Sequence, residues 1–110
     1  MTNLRAEVFE LDRGLCVGCG RRMARGGDAW AWQVHHVLKV QTMKARGMRP
    51  KWWRGPALAV LTCRQCHMQH EARAEVIPLE RLPERIHYAV GLLGPWAVDL
   101  LARYHPPAHG

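Results

Sequence analysis

Serine is missing from this 110-residue chain, and with it every hydrolase that attacks through a serine hydroxyl. Asparagine occurs once, at Asn3, so no site deeper in the sequence can rely on that side chain. No apolar run approaches the roughly 18 residues a transmembrane helix needs. The opening MTNLRAEVFELD is acidic and amphipathic, without the pattern of a signal peptide, so a soluble protein of a reducing, cytoplasmic compartment is expected, with no membrane partner. Acidic residues are scarce in one place only. Residues 21–64 hold ten Lys and Arg against the single Asp28, a net +9, whereas both flanking segments are slightly negative. A total of 16 basic and 9 acidic side chains gives +7, which favours a polyanionic partner over a neutral metabolite. At 48% hydrophobic and 23% charged, the chain reads as globular and as a single domain.

The four cysteines form two C-x2-C pairs, Cys16/Cys19 and Cys63/Cys66, separated by 43 residues. In a reducing compartment two disulfides are a poor reading. Two such turns present four sulfurs to one ion, which suits a structural tetrahedral zinc site. Glycines within and after Cys-Val-Gly-Cys-Gly allow the tight turn in which amides face the sulfurs.

Periodicity predicts a helix over 3–13, with Leu4, Val8 and Leu11 on one face and Thr2 as N-cap. A strand is expected over 30–37, with Trp30, Trp32 and Val34 sharing a face, and a second over 57–62. Residues 38–56 show no clear period and read as a long loop. A helix is expected from Arg64 to about Val76, and two more over 83–93 and 95–104, with Gly94-Pro95 between them. The class is α+β.

Between the cysteine pairs stands Val34-His35-His36-Val37. Adjacent strand residues face opposite ways, so the two histidines take different roles. After Cys66 come His67 and His70, neighbours on a helix surface. A strand histidine facing a helix histidine across a zinc-pinned frame makes a second metal site, and a neutral imidazole beside it suits a general base acting on water.

Cys16-x2-Cys19, His35-His36 and Cys63-x2-Cys66-His67 together resemble the HNH endonucleases of the zinc-knuckle kind. The approach Val8-Phe9-Glu10-Leu11-Asp12-Arg13-Gly14-Leu15 resembles the segment that precedes their first knuckle. The resemblance implies a ββα-metal, or His-Me finger, motif on a treble-clef-like frame. It implies one HNH-like domain over 1–110, with a motif core over about 5–75 and flanking helices, including a C-terminal helical extension over about 76–105 that has no family counterpart. It makes His36 the base, His35 and His67 ligands of a catalytic divalent ion, and His70 a third ligand or a phosphate contact. The ion would be magnesium, manganese, nickel, cobalt or zinc, and the products a 5′-phosphate and a 3′-hydroxyl. The family's central asparagine has no counterpart: Ala57 or Leu58 holds its position, with Gln33, Gln41 or Thr62 as possible substitutes.

Lys44, Arg46, Arg49, Lys51 and Arg54, around Trp52-Trp53, are expected to contact phosphates, with the tryptophans stacking on bases or capping the core. Arg21, Arg22 and Arg25 form a second basic patch. Arg64 at a helix start calls for an anion, since the dipole there disfavours a cation. Trp30, Trp32 and Trp96 read as core. The stripe Ile86, Val90, Leu93, Trp96, Leu100, Leu101 and Tyr104 either folds back on the domain or forms a homodimer or docks a partner protein. The resemblance leans toward DNA, with RNA left open. The competing readings are a nucleic-acid-binding module that does not cleave, and an adaptor of a larger phage-packaging or restriction assembly.

Overall fold

A computed structural model of the chain describes residues 3–25 and 31–108. Thr2, Asp28 and Trp30, named in the sequence analysis, lie outside the described residues. Those that are described form an α+β domain of six α-helices and one two-stranded antiparallel sheet. None of the helices is long and apolar enough to cross a membrane.

Helix α1 spans Leu4–Leu11. Its N-cap is Asn3, whose side chain accepts the Arg5 amide at 2.8 Å, satisfying one of the first-turn donors. The buried residues are Val8 and Phe9, while Leu11, expected on the apolar face, is half exposed. Strand β1 (Trp32–His36) pairs with β2 (Ala59–Cys63) in the register Trp32 to Cys63, Val34 to Leu61 and His36 to Ala59. Directly paired residues share a face. The set Trp32, Val34, Ala59, Leu61 and Cys63 packs with Val8 and Phe9 of α1. The alternate set, Gln33, His35, Val60 and Thr62, faces the other way. Ala57 and Leu58, expected to open the second strand, instead lie in a 3-10 turn over Pro56–Leu58, with Pro56 supplying the fixed φ that starts it.

The segment expected to be a long loop contains two short helices, α2 (Val40–Ala45) and α3 (Lys51–Arg54). Such short pieces carry little helical period. Tertiary contact forms them: Met43 is fully buried, and Val40, Met48, Trp52 and Trp53 pack against the core. Helix α4 spans Arg64–Glu71 and stops five residues short of the expectation. The chain turns at Arg73, whose φ is +59° and whose guanidinium donates to the Tyr104 and Arg103 carbonyls at 3.1 and 3.3 Å. That clamp ends α4 and caps the last helix together.

Helices α5 (Glu84–Leu93) and α6 (Pro95–Tyr104) meet at Gly94, where φ is +113°. Ile77, Leu82, Ile86, Ala89, Val90, Ala97 and Leu101 bury in one cluster with Val37, Leu38, Met43, Leu58 and Val60. The tail thus folds back on the sheet and completes the core.

Candidate metal centres

The metal-ligating atoms of Cys16, Cys19, Cys63 and Cys66 all lie within 4.8 Å of one another, so the group could hold a zinc ion. Cys19 Sγ and Cys63 Sγ are 3.9 Å apart. Four thiolates around zinc at about 2.3 Å would stand about 3.8 Å from each other, so the donor set fits. Gly18 is required here by space, since a Cβ on it would meet Cys66 Sγ at 2.9 Å. The cysteines also organise backbone: Cys16 Sγ accepts the Cys63 amide at 3.2 Å, and Cys63 Sγ accepts the Cys66 amide at 3.4 Å. The second contact makes Cys63 the N-cap of α4, so the sulfur cluster sets where the helical histidines begin. Burial pushes the Cys63 and Cys66 thiols up. Cys16 suffers the same burial, but amides of Cys63, Cys19 and Gly18 outweigh it and draw its thiol down.

On the face of β1 away from α1, His35 is buried among three other imidazoles. Its ring centroid lies 5.4 Å from His67, 4.7 Å from His70 and 5.2 Å from His105. Two groups of candidate ligands share it: His35, His67 and Glu71, and His35, His70 and His105. The expected set of His35, His67 and His70 is therefore divided. His67 and Glu71 are four apart on α4 and align on one side, whereas His70 is turned inward, 3% exposed, with Nδ1 accepting the Ile77 amide at 3.1 Å. That burial also removes His70 from any contact with a nucleic-acid phosphate. Glu71 and His105 were not singled out in the sequence; the His-x3-Glu spacing was the available signal for the first, and nothing local marked the second.

His35 Nδ1 and His67 Nδ1 are both buried without a hydrogen-bond partner. His35 Nδ1 lies 3.8 Å from Glu71 Oε1, too far for a hydrogen bond. Nor is it an ion pair. Burial, followed by the neighbouring histidines, pushes His35 down to about 2, and burial takes His70 and His105 down to about 4. All three are neutral at pH 7. Because their folded values lie below the ordinary 6.5, stability from these groups is complete above about pH 6.5 and is lost as pH falls toward 4. Urea unfolding across that window should show stability falling by up to about 4 kcal/mol per pH unit, one proton contributing about 1.4. A flat profile there would contradict neutral burial.

His36 stands on the α1 side of the sheet, half-buried, with Nε2 3.0 Å from the Trp53 carbonyl. A carbonyl only accepts, so Nε2 carries the proton and Nδ1 keeps the lone pair. The position of the family's asparagine falls in the 56–58 turn, where Leu58 is fully buried. Thr62 Oγ1 donates to the Gln33 carbonyl at 3.4 Å within the sheet, and Gln41 is exposed. The turn is instead braced by Arg85 of α5, which donates to the Pro56 carbonyl at 2.9 Å, the Ala59 carbonyl at 2.8 Å and Asp12 Oδ1 at 2.9 Å. Asp12 Oδ2 accepts the Leu61 amide at 2.7 Å. Arg85→Met leaves the Asp12 carboxylate buried and uncompensated, and should cost about 3 kcal/mol in urea unfolding. A loss below about 1 kcal/mol would show that this brace contributes little.

The basic residues are unevenly available. Arg25 is paired with Glu10, and its guanidinium lies 5.2 Å from the Phe9 ring centroid. Arg46 stacks on Trp96 at 4.0 Å, Lys51 lies 5.6 Å from Trp52, and Lys44 lies 5.8 Å from Trp53. Trp52 and Trp53 are half-buried against the core, so each shows only part of its ring to solvent. Arg21, Arg22, Arg49, Arg54 and Arg64 are exposed. Trp32 is buried against Phe9, centroids 5.3 Å apart, with the Arg5 guanidinium 3.8 Å above it. Compared with known proteins, the chain matches no protein-family model, no curated protein and no solved structure.

Proposed function

We propose that this chain is a metal-dependent endonuclease of the HNH type that hydrolyses DNA phosphodiester bonds, with a structural zinc at Cys16, Cys19, Cys63 and Cys66. The observation that carries the reading is the convergence of His35 from β1 with His67 and Glu71 from α4, their ligand atoms within 4.8 Å of one another, while His35 Nδ1 and His67 Nδ1 are both buried without a partner. Buried polar atoms are nearly always satisfied, and two orphaned nitrogens next to a carboxylate lack a cation rather than a proton donor. Glu71 replaces His70 in this ligand set. Its side chain is about half exposed, so the site opens to solvent on that side.

His35, His67 and Glu71 would hold a divalent ion there, which would supply positive charge to stabilise the phosphate and the leaving oxygen. His36 is the base. The Trp53 carbonyl holds its Nε2 proton and leaves Nδ1 free to accept one from water. Trp53 also carries Lys44 over its ring, which places a cation near that base for the phosphate backbone. The Arg85 brace takes the part the asparagine plays in the family, fixing the 56–58 turn next to β2.

A second reading, a treble-clef module that holds nucleic acid without cutting it, is favoured by the apolar Ala57-Leu58 at the asparagine position. Supercoiled plasmid incubated with the zinc-loaded protein and magnesium, manganese, nickel, cobalt or zinc separates the two. Metal-dependent nicking is expected. Plasmid retarded on a gel but uncut with every ion would overturn the enzyme and leave the binding module.

A further inference from the structure

The C-terminal extension delivers one side chain into the histidine cluster. His105, immediately after α6, is fully buried and stacks on His70 with centroids 4.4 Å apart. Its Nδ1 lies 2.9 Å from the Ile77 carbonyl and its Nε2 lies 3.2 Å from His35 Nε2. A peptide carbonyl only accepts and a peptide amide only donates, so the backbone of Ile77 fixes the protons of the rings it touches.

The Ile77 carbonyl requires a proton on His105 Nδ1, so the neutral His105 ring has its lone pair on Nε2. His35 Nε2 must then be the donor in the contact between the two rings. A neutral His35 with its proton on Nε2 has its lone pair on Nδ1, the atom that faces Glu71 and has no partner. On the other side, the Ile77 amide donates to His70 Nδ1, which places the His70 proton on Nε2. Neutral His70 therefore has no lone pair left for an ion, and the buried trio of His35, His70 and His105 is not a second metal site. It is a hydrogen-bonded support.

We propose that His105 is a positioning residue that selects the metal-binding tautomer of His35, so that the Ile77 carbonyl, acting through His105, decides which nitrogen of His35 meets the ion. The proposal rests on the reading of His35, His67 and Glu71 as the metal site. A ligating histidine generally donates its other N–H to an acceptor, and losing that acceptor costs metal affinity about 10–100-fold. Here the acceptor is an imidazole 70 residues away, in a part of the chain outside the family resemblance.

Two measurements on the full, zinc-loaded chain test it. Long-range 1H–15N spectra of the histidine-labelled protein without added metal should find the His35 proton on Nε2; a proton on Nδ1 would overturn the role of His105 whatever the ion does. Manganese titration by calorimetry should then show binding weakened about 10–100-fold in His105→Phe, which keeps a ring but has no acceptor. His105→Gln should stay within a few-fold of wild type, since its amide can donate to Ile77 and accept from His35. Equal losses in both variants, or no loss in His105→Phe, would overturn the proposal. Binding indifferent to His67→Ala would instead overturn the metal site itself, and the tautomer spectrum tells the two failures apart.

Discussion

With the proposed zinc held by the four cysteines, Cys66→Ala is expected to lose that ion and, with it, the cooperative thermal transition of the chain. The cysteines sit where three parts of the fold meet. Cys16 Sγ receives the Cys63 amide at the end of β2, Cys63 caps α4, and Gly18 packs against Cys66 with no room for a side chain. Removing one sulfur leaves three crowded thiols and no ion to hold them. Structural zinc contributes about 10–16 kcal/mol of apparent binding energy in small domains, comparable to the roughly 5–15 kcal/mol by which an ordinary domain is stable. A loss on that scale is comparable to the whole stability of such a domain. Zinc content by mass spectrometry and melting by circular dichroism check it together. A variant that melts as the wild type does would show that the sulfur cluster is a bystander.

The parts of this arrangement legible in the sequence are those written in short spacings. Each of the two C-x2-C pairs, the adjacent His35-His36 and the Cys66-His67 step spans only a few residues, and the structure brings the two cysteine pairs together. Breaks at Gly94-Pro95 and the start of α4 were equally local. What escaped was set by distance. Arg85 braces a turn 29 residues away against an aspartate 73 residues away. An arginine on a predicted amphipathic helix reads as solvated until that fold-back is known. His105 sits in a Pro-rich tail end, where fraying is the sensible expectation.

Glu71 is a different kind of miss. Its spacing from His67 was visible, but His70, three residues on, competed for the same role, and only burial separates the two. The early end of α4 has the same tertiary origin. Local propensity would carry Glu-Ala-Arg-Ala-Glu onward as helix, but Arg73 is recruited by the Arg103 and Tyr104 carbonyls. That turn returns the chain so that Ile77 reaches both His70 and His105.

The second large effect is expected at His36. It lies next to His35 in sequence but on the other side of the sheet, and its Nε2 proton is tied to the Trp53 carbonyl, so its free lone pair is on Nδ1. It belongs to neither candidate ligand group. His36→Ala should therefore leave metal affinity within about two-fold of wild type while removing the proton acceptor. General-base contributions are typically about 10²–10⁴ in rate, and the loss is expected in that range. His67→Ala should do the reverse, weakening the metal first, with activity partly restored at high metal concentration.

The most direct test is the rate of nicking of supercoiled plasmid at saturating manganese by wild type and His36→Ala, each purified identically and zinc-loaded. The prediction is metal-dependent nicking by the wild type that falls by at least about 100-fold in the variant. Equal rates in the two proteins, or no nicking by either while both retard the plasmid on a gel, would contradict the assignment of this chain as an endonuclease with His36 as its base.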